Sequence, residues 1–150
     1  AVSGLTGLQN YRFGRSTSIP YPYVAGGKRI VAQSPYDVVV DNLNRDLHTL
    51  LFLDIQPERY MTASDGAALL LEMEAAAGGS RLVSALGVGV ARAGSEDAVV
   101  VADWLPKLAG RDLGGPLHIL VVPAGLHFME AEGLVALAGA PREILDEAEP

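Results

Sequence analysis

His118-Ile-Leu-Val-Val-Pro-Ala-Gly-Leu-His-Phe-Met-Glu130 (HILVVPAGLHFME) decides the fold class. Ile119–Val122 is an apolar run of strand length, and Pro123-Ala124-Gly125 turns the chain. A helix is expected from about His127 to Ala138, and Pro141 opens a last short one. A buried strand that feeds a helix through a tight turn is the repeating unit of α/β architecture. Upstream, Leu50–Ile55 and Leu82–Ala91 are two further apolar runs, and Val99–Val101 makes a short strand before a helical turn or two at Trp104–Ala109. Between the two longer runs, Thr62 with Asp65 supplies a capping box for a helix through Ala67–Ala77, closed by Gly78-Gly79.

The first third reads less regularly. Residues 1–12 look like a connector or a frayed helix end, so residues 13–150 are taken as the domain. Phe13–Ile19 alternates weakly as a strand, stopped by Pro20 and Pro22, and residues 20–33 form a loop or hairpin. Ser34-Pro35-Tyr36-Asp37 starts a helix with a capping oxygen and a proline at its first position, and Tyr36, Val39, Val40, Leu43 and Leu47 follow helical spacing. Strands alternating with helices predict an α/β domain whose sheet is mixed or mostly parallel, with flanking helices.

Composition narrows the class of partner. A chain of 150 residues with 49% hydrophobic and 19% charged side chains is globular. Its net charge of −7, with Lys28 and Lys107 the only lysines, argues against nucleic acid, whose phosphates need clustered cations. Cysteine is absent, which removes disulfides and thiolate metal sites. The apolar runs fall short of a membrane span, and no secretory pattern opens the chain, so a cytoplasmic setting is the default. The text begins at Ala1 in mid-pattern, as the back part of a longer protein would.

Few residues announce chemistry. There is no nucleophile elbow, no phosphate loop and no metal-binding histidine pair on a helix. Gly87-Val-Gly89-Val-Ala-Arg-Ala-Gly94 fails the dinucleotide spacing and lies inside a strand, where glycines let neighbours pack closely. His127, Glu130 and Glu132 stand at a helix start, where acids are favoured by the dipole and need no metal. His118 begins a strand, and either a ligand contact or a hydrogen-bonded structural imidazole suits that place. Leu53 and Ala93 by themselves pass as core or junction packing.

Taken together, several strings resemble the diphthine synthase family along the whole chain. They are Ser34-Pro35-Tyr36-Asp37, Leu47-His48-Thr49-Leu50 with Leu53-Asp54-Ile55, Tyr60-Met61-Thr62, and Ala91-Arg92-Ala93-Gly94-Ser95. Leu126-His127 with Met129-Glu130-Ala131-Glu132, and Ala138-Gly139-Ala140-Pro141-Arg142-Glu143-Ile144-Leu145, complete the set. Asp46 stands where the family commonly has glycine, and Val31-Ala32-Gln33 replaces the usual lead into Ser-Pro-Tyr-Asp.

The resemblance implies the C-terminal domain of a two-domain class III methyltransferase of the tetrapyrrole-methylase type. It implies S-adenosylmethionine as methyl donor, held in a cleft between two α/β domains, and a homodimer. The acceptor it implies is the 3-amino-3-carboxypropyl group on one histidine of translation elongation factor two, in diphthamide biosynthesis. The family's cofactor contacts from this half match Leu53, Ala93 and His118. Its N-terminal glycine-rich loop and acidic contact have no counterpart in these residues, and this domain alone is expected to be inactive. No metal and no general base are implied. The competing expectation is a dimerisation or scaffold domain without activity of its own.

Overall fold

The computed structural model describes residues 2–150. A helix α1 (Val2–Thr6) and a 3-10 turn (Asn10–Arg12) lead into strand β1 (Thr17–Ile19). The hairpin β2 (Tyr23–Ala25) and β3 (Lys28–Ile30) follows, turned at Gly26-Gly27, where both φ values are positive (58° and 75°). Then come helix α2 (Ser34–Asn44), strand β4 (Thr49–Leu53), a small ribbon β5 (Ile55–Gln56) with β6 (Arg59–Tyr60), and helix α3 (Ala63–Ala77). Strands β7 (Leu86–Ala91) and β8 (Val99–Trp104), helix α4 (Leu105–Leu108), strand β9 (His118–Val122) and helices α5 (Phe128–Ala138) and α6 (Ile144–Glu147) complete the chain.

The main sheet has the order β1-β4-β9-β7-β8. Only β1 and β4 run parallel; β9 is antiparallel to both β4 and β7, and β8 to β7. The sheet is therefore mixed with an antiparallel majority, and the strand–helix alternation does not make it mostly parallel. Its alternation of side chains divides two cores. Leu51, Leu53, Leu120 and Val122 join α2, α3 and α4 on one face, while Val88, Val90 and Val121 join Leu8, α5 and α6 on the other.

The strand glycines act as packing positions, as the sequence implies. A Cβ at Gly89 would stand 2.8 Å from Leu113 Cδ2 and 3.0 Å from Ala63 Cβ; one at Gly87 would stand 2.5 Å from Leu105 Cδ1. The sheet can thus receive α3 and α4 only where its strand lacks side chains.

Several local expectations change: of Phe13–Ile19 only Thr17–Ile19 forms a strand, and Leu47 lies beyond the end of α2. Leu82–Ser84 is a 3-10 turn and not the start of β7, because the buried Glu74 carboxylate gathers the Leu82 and Val83 N–H groups. The run Leu50–Ile55 divides at Asp54, whose carboxylate accepts the Tyr21 N–H at 2.9 Å, and Ile55 turns into its own ribbon. No side chain caps α2: Gln33 precedes it and donates instead to the Met73 carbonyl. Pro141 lies in a turn ahead of Ile144–Glu147 and does not begin that helix.

The opening residues are packed. Leu8 is buried in the second core, and Gly7 lies against Gly133 of α5 so closely that a Cβ at Gly7 would meet the Gly133 Cα at 3.2 Å. Glu130, fully buried at the first turn of α5, organises this region. It accepts from Arg12 Nη1 (2.6 Å), the Gln9 N–H (3.1 Å), the His127 N–H (3.0 Å) and His48 Nε2 (2.8 Å). His48 Nδ1 accepts the Ala124 N–H at 2.9 Å, so its proton sits on Nε2 and the ring is neutral.

Burial lowers the His48 pKa, against the raising effect of the Glu130 hydrogen bond. Burial works to raise the Glu130 carboxyl, but the bonds from His48, Gln9 and His127 bring it below its ordinary value. Both groups then bind fewer protons folded than unfolded as the solution is acidified, so each contributes stability that is lost as pH falls. For His48 the loss begins near its unfolded value of 6.5. The urea midpoint should therefore fall between about pH 7.5 and about pH 5, with a shallower fall in His48→Phe. Glu130→Gln takes the buried charge away from Arg12, which keeps its contacts with Asp46, and should cost about 1–3 kcal/mol in the same titration.

Candidate functional site

The functional candidate is a cleft at one end of the sheet, where β4 and β7 finish and β9 begins. Pairing of β4 with β9 runs from Thr49–Val122 to Phe52–Ile119 and goes no further. Pairing of β7 with β9 continues to Ala91–His118, and the Arg92 N–H still reaches the Leu117 carbonyl at 2.8 Å. Between Leu53 and His118 the strands have parted, and the carboxyl ends of open α/β strands are the usual place for a ligand. The cleft has a volume of about 640 Å³ and is lined by Phe52, Leu53, Ile55, residues 92, 93 and 95, and the segment from Pro116 to Ile119. That size falls within the range of small-molecule sites.

Leu53, Ala93 and His118 all border this one cleft, although they come from three separate segments. Leu53 is 8% exposed and closes the floor, while Ala93 stands exposed on the loop after β7. His118 is 7% exposed, and both its ring nitrogens are spent. Nδ1 accepts the Ala63 N–H at 3.0 Å, and Nε2 donates to the carbonyls of Gly114 (2.9 Å) and Gly115 (3.0 Å). The imidazole is thus neutral and structural, and what His118 offers a ligand is its main chain and one ring edge.

The walls are apolar. Phe52, Ile55 and Leu117 are each about half exposed (50%, 57% and 51%), a cost in water that a covering ligand or domain would remove. Beside them, Asp54 is held below the ordinary carboxylate range, chiefly by the Tyr21 N–H. Asp97, on the loop that carries Ala93, is likewise lowered, first by the Ser95 hydroxyl, which donates to it at 2.5 Å.

Sequence reading missed Arg92, Phe52 and Leu117. Phe52 shares its face of β4 with the half-buried Leu50, but the uniformly apolar run Leu50–Leu53 does not mark that face in the sequence. Arg92 stands alone as a cation in a run of small residues, but its φ of +54° and its doubling back onto the Leu113–Gly115 loop have no signature in the text. The His127–Glu130 pair serves as a capping box at the start of α5, and among the described residues no group of three or more His, Asp or Glu could hold a metal ion. No helix among them is long and apolar enough to cross a membrane.

Fold and site together define an α/β domain with a mixed five-stranded sheet and an open, largely apolar cleft at its strand ends. The chain is 53% identical over 148 residues to diphthine synthase of Methanococcoides burtonii, covering 97% of this chain and 55% of that protein. It is 54% identical over 151 residues to diphthine synthase of Methanosarcina acetivorans, covering 99% and 57%. A crystal structure of diphthine synthase superposes with a TM-score of 0.84 at 41% identity, covering 98% of this chain and 53% of that one. No family model matches the chain. Along nearly its whole length the chain matches diphthine synthases, and it spans about half the length of the curated relatives it matches.

Because His118 joins α3 to the loop before β9, its truncation tests the fold as well as the cleft. His118→Ala leaves the buried Ala63 N–H without a partner and should lower unfolding free energy by about 1–3 kcal/mol in urea titration.

Proposed function

We propose that this chain is the C-terminal domain of an S-adenosylmethionine-dependent methyltransferase of diphthamide biosynthesis, acting on the modified histidine of translation elongation factor two in the cytoplasm as a homodimer. The observation that carries the reading is the convergence of Leu53, Ala93 and His118 on one apolar cleft in a chain about half identical to diphthine synthases. The activity belongs to the complete protein, since the relatives extend well beyond the matched residues and the cleft is open on the side of Phe52, Ile55 and Leu117.

The residues present fit the donor. Apolar walls from Leu53, Ile55 and Ile119 suit an adenine ring, the small Ala93 leaves room beside it, and the parted main chains at Leu53 and His118 offer polar groups at the rim. When bound, S-adenosylmethionine supplies a methyl group already activated on a sulfonium. The chain's own work is then to orient, to exclude water and to hold its loops still. That division of labour accounts for a cleft without a nucleophile–base pair. Acid and base steps would have to come from the acceptor or the rest of the protein, because His118 has no free ring nitrogen.

Ala93→Trp tests the site with little effect on the fold, because Ala93 is exposed and the new ring would fill the cleft. In the complete protein it should weaken S-adenosylhomocysteine about tenfold or more by calorimetry, with an unchanged urea midpoint. Wild-type protein should transfer methyl groups to the modified elongation factor, while residues 1–150 alone should not. Transfer by those residues alone at a comparable rate would defeat the two-domain reading, and absence of cofactor binding by the complete protein would defeat the site.

A further inference from the structure

We propose that Arg92 is a positioning residue for the cleft, clamping its two rim loops together through main-chain carbonyls; this rests on the cofactor reading above. The observation is the direction of its guanidinium. Nη1 donates to the carbonyls of Leu113 (3.1 Å) and Gly115 (2.6 Å), and Nε donates to the Asp97 carbonyl (3.2 Å). One side chain thus joins the loop that carries Ala93 to the loop that leads into His118.

His118 completes the clamp from the other side, through the carbonyls of Gly114 and Gly115. The carbonyls of residues 113, 114 and 115 therefore all turn inward onto two side chains, and the Gly115 oxygen is shared by both. This geometry needs the left-handed backbone at Gly114 (φ 84°), whose missing Cβ would otherwise stand 3.1 Å from Arg92 Nη1. The outward side of the same loop is then Pro116 and Leu117, the apolar wall of the cleft. A rim whose main chain binds a ligand has to be held before the ligand arrives, or ordering it subtracts from affinity.

The ion pair with Asp97 does less. Nε lies 3.1 Å from its carboxylate, but Asp97 is 70% exposed and such pairs are weak in water. The Arg92 side chain is itself only 19% exposed, and its bond to the Leu113 carbonyl is partly buried. Lysine cannot replace this arrangement, because one ammonium does not present the planar fork that reaches three carbonyls.

The test is made in the complete protein with Arg92→Lys, Arg92→Ala and Asp97→Asn. Both Arg92 variants should weaken S-adenosylhomocysteine and raise the KM for S-adenosylmethionine about tenfold with kcat nearly unchanged, since donor binding is lost equally in ground and transition states. Amide exchange at Gly114, Gly115 and Leu117 should quicken, and added methylguanidinium should restore part of the affinity of Arg92→Ala. Asp97→Asn should stay within about twofold of wild type. Unchanged affinity in Arg92→Lys, or an equal loss in Asp97→Asn, would overturn the clamp while leaving the cofactor reading intact. A wild-type protein that binds no S-adenosyl ligand would overturn both.

Discussion

The constraint on which the cleft depends is the neutral imidazole of His118. Its Nδ1 must accept the Ala63 N–H, so the proton must sit on Nε2, and there it meets the Gly114 and Gly115 carbonyls. One tautomer satisfies both sides. An imidazolium would set an N–H against the Ala63 N–H and leave that donor without a partner. The ring therefore fixes where α3 begins, where β9 begins and how the intervening loop lies. Those three positions define the cleft edge.

A consequence follows for the chemistry of the site. In the proposed reading, Leu53, Ala93 and His118 contribute shape and main chain, not reactive side chains. Leu53 closes a floor, Ala93 leaves space, and His118 spends its ring on the protein itself. Such a set suits a reaction whose activated group arrives with the ligand, and it would serve poorly where the protein had to generate a nucleophile. In the proposed reading, specificity for the donor comes from the width between the parted strands and the rigidity of two loops. Arg92 and His118 provide that rigidity by consuming the carbonyls that would otherwise let the loop move.

The sequence showed most clearly where the physics was local. The Thr62–Asp65 capping box forms as read, with both reciprocal bonds, and Gly78 ends the helix in the left-handed region at φ 73°. The strand, turn and helix of residues 118–138 hold their expected places. What was not legible depends on partners far along the chain. The break at Asp54 needs Tyr21, the turn at Leu82–Ser84 needs Glu74, and the direction of β9 needs β4 and β7 on either side. Of the residues that border the cleft, Leu53, Ala93 and His118 were named, but only through the family resemblance. Periodicity sees Leu53 and Ala93 as packing and is blind to a positive φ at Arg92. Asp46 is a related case: φ is +58°, a conformation that favours glycine, and the carboxylate there meets Arg12 (3.1 Å) and the Gly125 N–H (3.1 Å).

The device at His118 recurs at the opposite end of the same strands. His48, just before β4, accepts the Ala124 N–H just after β9 at Nδ1 and donates to Glu130 through Nε2. Each histidine is thus a neutral bridge that ties a strand end to a neighbouring turn by accepting one backbone N–H. The difference lies in what receives the second bond. His48 meets a buried carboxylate that also binds Arg12 and two backbone N–H groups, so that end is a closed charged cluster. His118 meets only carbonyls and leaves an open apolar mouth. The carbonyls hold the loop without adding a further charge to the apolar wall, while the carboxylates of Asp54 and Asp97 stay at the rim. The sheet is therefore locked by a buried carboxylate at its closed end, and by main-chain carbonyls that accept from Arg92 and His118 at the end that opens into the cleft.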